Sequence, residues 1–354
     1  MKYAVSTWRG GMGCVGLVVA LGACQRSAPV VSEGAARAQA VTPAEGPARG
    51  EPARAPRVLA PVEELAPTRV PGAARVVAIG DVHGDFAVTR AVMQLAGATG
   101  PDDHWVGGPL VVVQVGDQLD RGDGERRILD WFEVLTREAR AAGGAFYVLN
   151  GNHEVMNAAG DFRYVTPGGY RDFAETEVPV RWRDLLARAP ERVRGRMAAM
   201  APGGEYARKM AAHNTVMVVG DTVYAHGGLL PSHVDYGLER INRAVREYLL
   251  GNPPGELPAI LQGEDSPFWH RVFAVDDSEA VCALLGQTLA RVGARRLVIG
   301  HTVQPNGIND ACGGRVFRVD VGLSSHYGGP VQVLEMRAGQ PPRVLSGQRA
   351  VGGA

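Results

Sequence analysis

Three apolar runs in the first half of this chain end alike, in glycine followed by acidic, amide or imidazole side chains. Arg75-Val76-Val77-Ala78-Ile79 leads into Gly80-Asp81-Val82-His83-Gly84. Leu110 to Val115 leads into Gly116-Asp117-Gln118-Leu119-Asp120-Arg121-Gly122, and Ala145 to Leu149 into Asn150-Gly151-Asn152-His153-Glu154. Two later runs, Thr222–Ala225 and Arg296–Ile299, end in His226-Gly227-Gly228 and Gly300-His301-Thr302. Continuous runs of this kind predict strands buried on both faces. Phe86, Val92 and Leu95, and then Ile128, Phe132, Leu135 and Ala139, have helical spacing. Strand and helix therefore alternate, as in βαβ units. In such a sheet ligands bind beyond the carboxyl ends of the strands, so the five clusters are expected at one edge. Glycine lets the backbone turn sharply and come close to a ligand there.

The residue types suit divalent cations. Asp, Asn and His offer oxygen and imidazole donors of intermediate hardness, suited to Mn, Fe or Zn, and no thiolate is among them. A carboxylate such as Asp117 can bridge two ions. Two ions about 3.5–4 Å apart acidify a shared water and hold phosphoryl oxygens for in-line attack.

Taken in order, the five clusters resemble the GDxHG, GDxxDRG, GNHE, HGG and GHT motifs of the PPP-superfamily metallophosphoesterases. The resemblance runs from about Ala73 to Leu334. The stretch Gly151–Asn157 with Gly160–Tyr164, Asn214–Val223, and Asp320-Val321-Gly322-Leu323-Ser324 resemble the Shewanella-like protein phosphatases in particular. The resemblance implies a four-layer αββα calcineurin-like sandwich: two mixed β-sheets face to face, helices outside, and a helical insertion. It implies two metal ions. Asp81 and His83 would hold the first, Asp117 would bridge, and Asn152, His226 and His301 would hold the second. His153 would protonate the leaving oxygen, with Asp120 holding its imidazole. Arg121 would clamp the phosphoryl group, and Arg271, within Pro267-Phe268-Trp269-His270-Arg271, is the candidate for a second clamp. Asp161, Arg163 and Tyr164 would either line a pocket beside the metals or serve the helix packing of the insertion. Glu154 either supports a ligand or anchors its turn, and Glu125-Arg126-Arg127 reads as a solvated helix face. The chain departs from the eukaryotic Ser/Thr enzymes after His226-Gly227-Gly228, where Leu229-Leu230-Pro231-Ser232 follows. The resemblance to the Shewanella-like group, some members of which prefer phosphotyrosine, places phosphotyrosine beside phosphoserine and phosphothreonine as an expected substrate.

The expected reaction is phosphomonoester hydrolysis on a phosphorylated protein or peptide by a metal-activated hydroxide, without a covalent phosphoenzyme. A nucleotide phosphohydrolase, acting for example on a diadenosine polyphosphate, is the alternative. A non-catalytic envelope binding protein is the remaining reading. Nucleic-acid binding is not expected: 37 Lys+Arg balance 37 Asp+Glu, which leaves no basic footprint.

The N-terminus reads as a targeting segment. Lys2 and Arg9 precede an apolar stretch over 12–20, too short to span a bilayer. Leu21-Gly22-Ala23-Cys24 resembles a bacterial lipobox. Residues 1–23 are therefore expected to be a lipoprotein signal peptide and Cys24 the acylated residue. The protein would be tethered to the cell envelope, at the outer membrane facing the periplasm or exterior. Residues 24–72 are Ala- and Pro-rich with no aromatic residue, a composition that cannot offset its ordering entropy and is read as a disordered tether. A catalytic domain over 73–346 follows, with the insertion at 158–212 predicted helical near 181–200 and 205–212, and a tail at 347–354. Further helices are predicted near 237–250 and 278–291, the latter with Asp276 and Glu279 at capping-box spacing. Cys282 and Cys312 could pair in an oxidising compartment or remain buried thiols.

Overall fold

The computed structural model describes residues 66–251 and 255–349. The expected signal peptide, Cys24, the tether as far as residue 65 and the last residues of the tail lie outside them. The strands are β1 (Arg69–Val70), β2 (Arg75–Ile79), β3 (Val111–Gln114), β4 (Ala145–Val148), β5 (Val216–Val219), β6 (Thr222–Ala225), β7 (Arg296–Ile299), β8 (Asn309–Ala311), β9 (Val316–Arg318), β10 (Val331–Arg337) and β11 (Arg343–Gly347). The helices are α1 (Phe86–Leu95), α2 (Glu125–Ala141), α3 (Asn152–Ala158), α4 (Pro167–Asp172), α5 (Arg183–Leu186), α6 (Glu191–Met200), α7 (Glu205–Met210), α8 (Pro231–Tyr236), α9 (Leu238–Leu250), α10 (Val272–Val275) and α11 (Glu279–Val292).

The strands form two mixed sheets, β1-β5-β6-β7-β9-β8 and β11-β10-β2-β3-β4. Period-two alternation explains how each sheet is buried twice. Val76 and Ala78 of β2 point inward with Val113, Met217, Tyr224, Val298 and Phe317 to form the layer between the sheets. Val77 and Ile79 point outward, where α1 and α2 cover them with Val92, Ile128, Phe132 and Leu135. On the far side, Val218, Val223, Leu297 and Ile299 meet Ile241 and Val245 of α9 and Leu285 of α11. Four layers, helix, sheet, sheet and helix, result. The insertion adds Met200, Tyr206 and Met210 to the last core.

Register then aligns the strand tips. β2, β3 and β4 run parallel, with Ile79 opposite Gln114 and Gln114 opposite Val148. In the other sheet β6 and β7 run parallel, with Ala225 opposite Ile299. The five polar clusters therefore leave the sheets at one level.

Several expectations shift at the margins. Residues before Ala73 already belong to the fold, because Arg69–Val70 pairs in parallel with Val218–Val219. At the other end Gly347 still belongs to β11. β1, β8 and β11 are short or polar edge strands, without an apolar run in the sequence to mark them. The helix predicted near 181–200 is two helices, since Pro190 cannot sit inside one and instead precedes α6. The cap of α11 is Ser278, whose side chain accepts from Val281 N–H, not Asp276. Cys282 and Cys312 form a disulfide, with Cα atoms 5.3 Å apart. It ties the first turn of α11 to the segment after β8.

Candidate metal centre

Asp117 sits at the centre of the gathered tips. One of its oxygens, Oδ2, lies 3.7 Å from His83 Nε2 and 3.7 Å from His153 Nε2. The other, Oδ1, lies 3.2 Å from His226 Nε2 and accepts from His153 N–H at 3.0 Å. Two buried triads, His83/Asp117/His153 and Asp117/His226/His301, each bring their donor atoms within 4.8 Å of one another and share Asp117. Asn152 joins the second, with Oδ1 2.9 Å from His226 Nε2. Asp81 lies at the edge of that group. Its Oδ1 is 4.0 Å from His226 Nδ1, and its Oδ2 accepts from His301 N–H at 3.0 Å. His153 lies nearer to the His83/Asp117 pair than Asp81 does.

The backbone is bent to achieve this. His83, Asp117, Asp120, Arg121 and His301 all have φ between +43 and +68, a region that costs a non-glycine residue free energy. Outside the centre, only Asp103 and Cys312 among the described non-glycine residues share it. Such strain is held where surrounding contacts over-determine the position. Glycine supplies the clearance. At Gly116, with φ +110, a Cβ would meet His226 Nδ1 at 2.7 Å. At Gly300 a Cβ would strike Asp81 Oδ1.

Donor and acceptor roles favour cation binding. His83 Nδ1 is engaged by Leu119 O at 2.9 Å and His226 Nδ1 by Val115 O at 3.0 Å, which turns each Nε2 lone pair toward the centre. Asp81 Oδ1 and His301 Nε2 are buried with no hydrogen-bond partner. An unpaired buried acceptor is costly, and a cation is the natural partner for both. Burial holds the His83 imidazole down to about 3, and burial, with His226 beside it, holds His301 far below its usual range. Both are thus neutral, the form that binds metal. Burial, then the charges of Asp320 and Asp117, push Asp81 well up. Asp117 goes the other way: burial opposes its charge, but His226 and His153 outweigh burial. A site that strains its carboxylates in this way has the donor set for divalent cations.

His153 occupies a different environment. Its Nδ1 lies 2.5 Å from Asp120 Oδ2. Burial disfavours the imidazolium, but Asp117 and the Asp120 hydrogen bond prevail and raise its pKa. Asp120 is itself held. Its Oδ1 accepts from Asn157 Nδ2 at 3.1 Å and from an Arg196 N–H at 3.2 Å. Arg196, on α6 of the insertion, is 0% exposed and also donates to Asn157 Oδ1, Gly169 O and the Glu125 carboxylate. Glu125 corrects an expectation: it is 0% exposed, not solvated, and accepts from Asp120 N–H as well. The signal was present, since residue 125 falls three and seven positions before Ile128 and Phe132 on the buried stripe. Nothing local marked Arg196. Glu154 anchors its turn, accepting from the N–H groups of Asp117, Gln118, Leu119 and Gly151. Burial, then the Asp117 charge, raise it to about 7.

The arginines lie at the mouth. Arg121 sits over the ring of Tyr164 at 4.6 Å. Arg271 donates to His301 O at 3.1 Å and Thr302 Oγ1 at 2.9 Å, on the rim beside Trp269, whose ring meets His301 edge-on. Of the three expected pocket residues only Tyr164 touches the centre, through His153; Asp161 and Arg163 pair with each other.

A two-sheet sandwich with a buried Asp/His/Asn centre at one edge defines the calcineurin-like phosphoesterases, and the profile of that family matches residues 74–305. The chain belongs to this family, a group of phosphoric-ester hydrolases. Within it, the chain is 39% identical over 313 residues to Shewanella-like protein phosphatase 2 of Arabidopsis thaliana, covering 80% of each chain. It is 27% identical over 265 residues to Shewanella-like protein phosphatase 1 of Plasmodium berghei, covering 72% of this chain and 69% of the relative. Among solved structures, a cold-active protein tyrosine phosphatase superposes with a TM-score of 0.64 at 25% identity, over 77% of each chain.

Proposed function

We propose that this protein is a metal-dependent phosphoprotein phosphatase that hydrolyses phosphomonoesters of tyrosine, serine or threonine. The observation that carries the proposal is Asp117, one buried carboxylate shared by two imidazole groups, with unpartnered Asp81 Oδ1 and His301 Nε2 beside it. Two ions, of Mn, Fe or Zn, would be held by Asp81, His83 and Asp117 and by Asp117, Asn152, His226 and His301. Bound there, divalent cations supply Lewis acidity and an acidified water. The chain's own residues do the rest. Arg121, with Arg271 on the opposite rim, holds phosphoryl oxygens and offsets their developing charge. As the ester P–O bond breaks, His153 Nε2–H gives its proton to the departing oxygen while Asp120 holds Nδ1–H. The relatives named protein phosphatases and the tyrosine phosphatase of the same fold support a phosphorylated protein as substrate.

Parallel assays with a phosphotyrosyl peptide, a phosphoseryl peptide and a diadenosine polyphosphate, at stepped concentrations of each metal, test this reading. Turnover of a peptide is expected; turnover of the nucleotide alone would overturn it. The lipobox-like tetrad and the Cys282–Cys312 disulfide also support an oxidising, membrane-tethered location. Cys24→Ala is expected to move the protein from the membrane fraction to the soluble one.

A further inference from the structure

Five side chains at the mouth of the centre close into a ring. The Arg121 guanidinium lies 4.6 Å from the centre of the Tyr164 ring and 5.1 Å from that of Tyr327. Tyr164 meets His153 at 5.2 Å, His153 meets His83 at 4.7 Å, and His83 meets Tyr327 at 5.6 Å. The imidazoles are buried and form the floor. The tyrosines, 38% and 37% exposed, form two walls. They come from separate loops, Tyr164 after α3 and Tyr327 after β9. Their backbones are held at different places: Tyr164 O accepts from Arg121 N–H at 3.1 Å, and Tyr327 N–H donates to Ser324 O at 3.0 Å.

Arg121 needs such support. Its backbone is left-handed, with φ +67. The nearest carboxylate in sequence, Asp120, is committed to His153 and Arg196. Its buried Nε has no hydrogen-bond partner. A long side chain that is left free loses rotamer entropy whenever it grips a phosphate. An aromatic face attracts the cation without taking up its N–H groups as a carboxylate would, so the donors stay available for an anion.

We infer that Tyr164 and Tyr327 are positioning residues for Arg121, bracing its guanidinium from two sides so that it meets the phosphoryl group already in place. The inference rests on Arg121 being a phosphate-holding group. It assigns Tyr327, which no sequence motif singled out, to the working of the site.

The test is inorganic phosphate binding to manganese-loaded protein, read both by titration calorimetry and as competitive inhibition, with thermal melting as the control for folding. Tyr164→Leu with Tyr327→Leu is expected to weaken phosphate about 5–30-fold, the scale of two cation–π contacts. Tyr164→Phe with Tyr327→Phe keeps the ring faces and is expected to bind within about threefold of wild type. In an Arg121→Ala background the leucine pair is expected to add less than about twofold, because the braced group is gone. Leucine variants that bind phosphate like wild type, while Arg121→Ala binds weakly, would overturn the brace and leave the clamp intact. Equal weakening in both backgrounds would overturn it too. Unaltered phosphate affinity in Arg121→Ala itself would instead remove the clamp on which the inference stands.

Discussion

The two ends of the sandwich treat charge in opposite ways. At the carboxyl ends of the parallel strands, Asp81, Asp117, His226 and His301 are buried, two of the four lie in left-handed backbone, and Asp81 Oδ1 and His301 Nε2 have no hydrogen-bond partner. At the other end a cavity of about 560 Å³ opens between the sheets, lined by Val76, Val219, Met336, Arg296 and Arg337. Its charges are partnered on the spot: Arg296 lies 3.7 Å from Asp221 and Arg337 3.1 Å from Glu335. Glu335, 2% exposed, also takes Arg75 and Arg343 at 2.6 Å each. At this end the charges are met by the chain itself. The other is satisfied only with something added, which is how a ligand site differs from a structural ion-pair cluster.

Substitutions at the two ends should therefore separate function from stability. Asp117→Asn is expected to cut turnover about 10³-fold or more and to lower bound metal, while the metal-free protein still melts cooperatively. Full turnover with normal metal content would break the contrast. Arg196→Met leaves Asp120 and Glu125 buried without their cation. It should cost about 3–5 kcal/mol in denaturant unfolding, the scale of an uncompensated buried charge; a variant as stable as wild type would show that the network adds no net stability. His153→Asn is expected to keep its metal and to slow esters of poor leaving alcohols on the order of 10²-fold, and aryl esters of acidic phenols much less. Equal slowing across leaving groups would speak against proton donation.

The smallest effect belongs to the far end. Burial opposes the Glu335 charge, but Arg337, Arg75 and Arg343 hold its carboxyl down to about 2, below the ordinary 4.5. A depressed carboxyl contributes stability above its unfolded pKa and loses it as pH falls through the folded one. Glu335→Gln should thus lower stability by roughly 1–3 kcal/mol at neutral pH. The gap from wild type should close between about pH 4.5 and pH 2, with catalysis at neutral pH little altered. A gap that persists at pH 2 would mean that packing, not charge, is lost.

Much of this was readable from order along the chain. The buried strands declare themselves as apolar runs, because a strand covered on both faces has no polar side to show. The metal-centre residues declare themselves because each is tied to a glycine that its own turn requires. A charged triplet masks the place of Glu125 on a buried stripe, and Asp276 mimics a cap two residues before Ser278.

The sequence by itself determined the alternation of strands and helices and the donor types at each strand tip, since both are set by neighbours a few residues apart. Only the tertiary structure decided that His153 stands closer to the His83 group than Asp81 does, that Arg196 reaches Asp120 from another helix, that Cys282 meets Cys312, and that Tyr327 closes on Arg121. Those pairings join segments far apart in the chain, and their geometry follows from sheet register and layer packing, which no local pattern encodes.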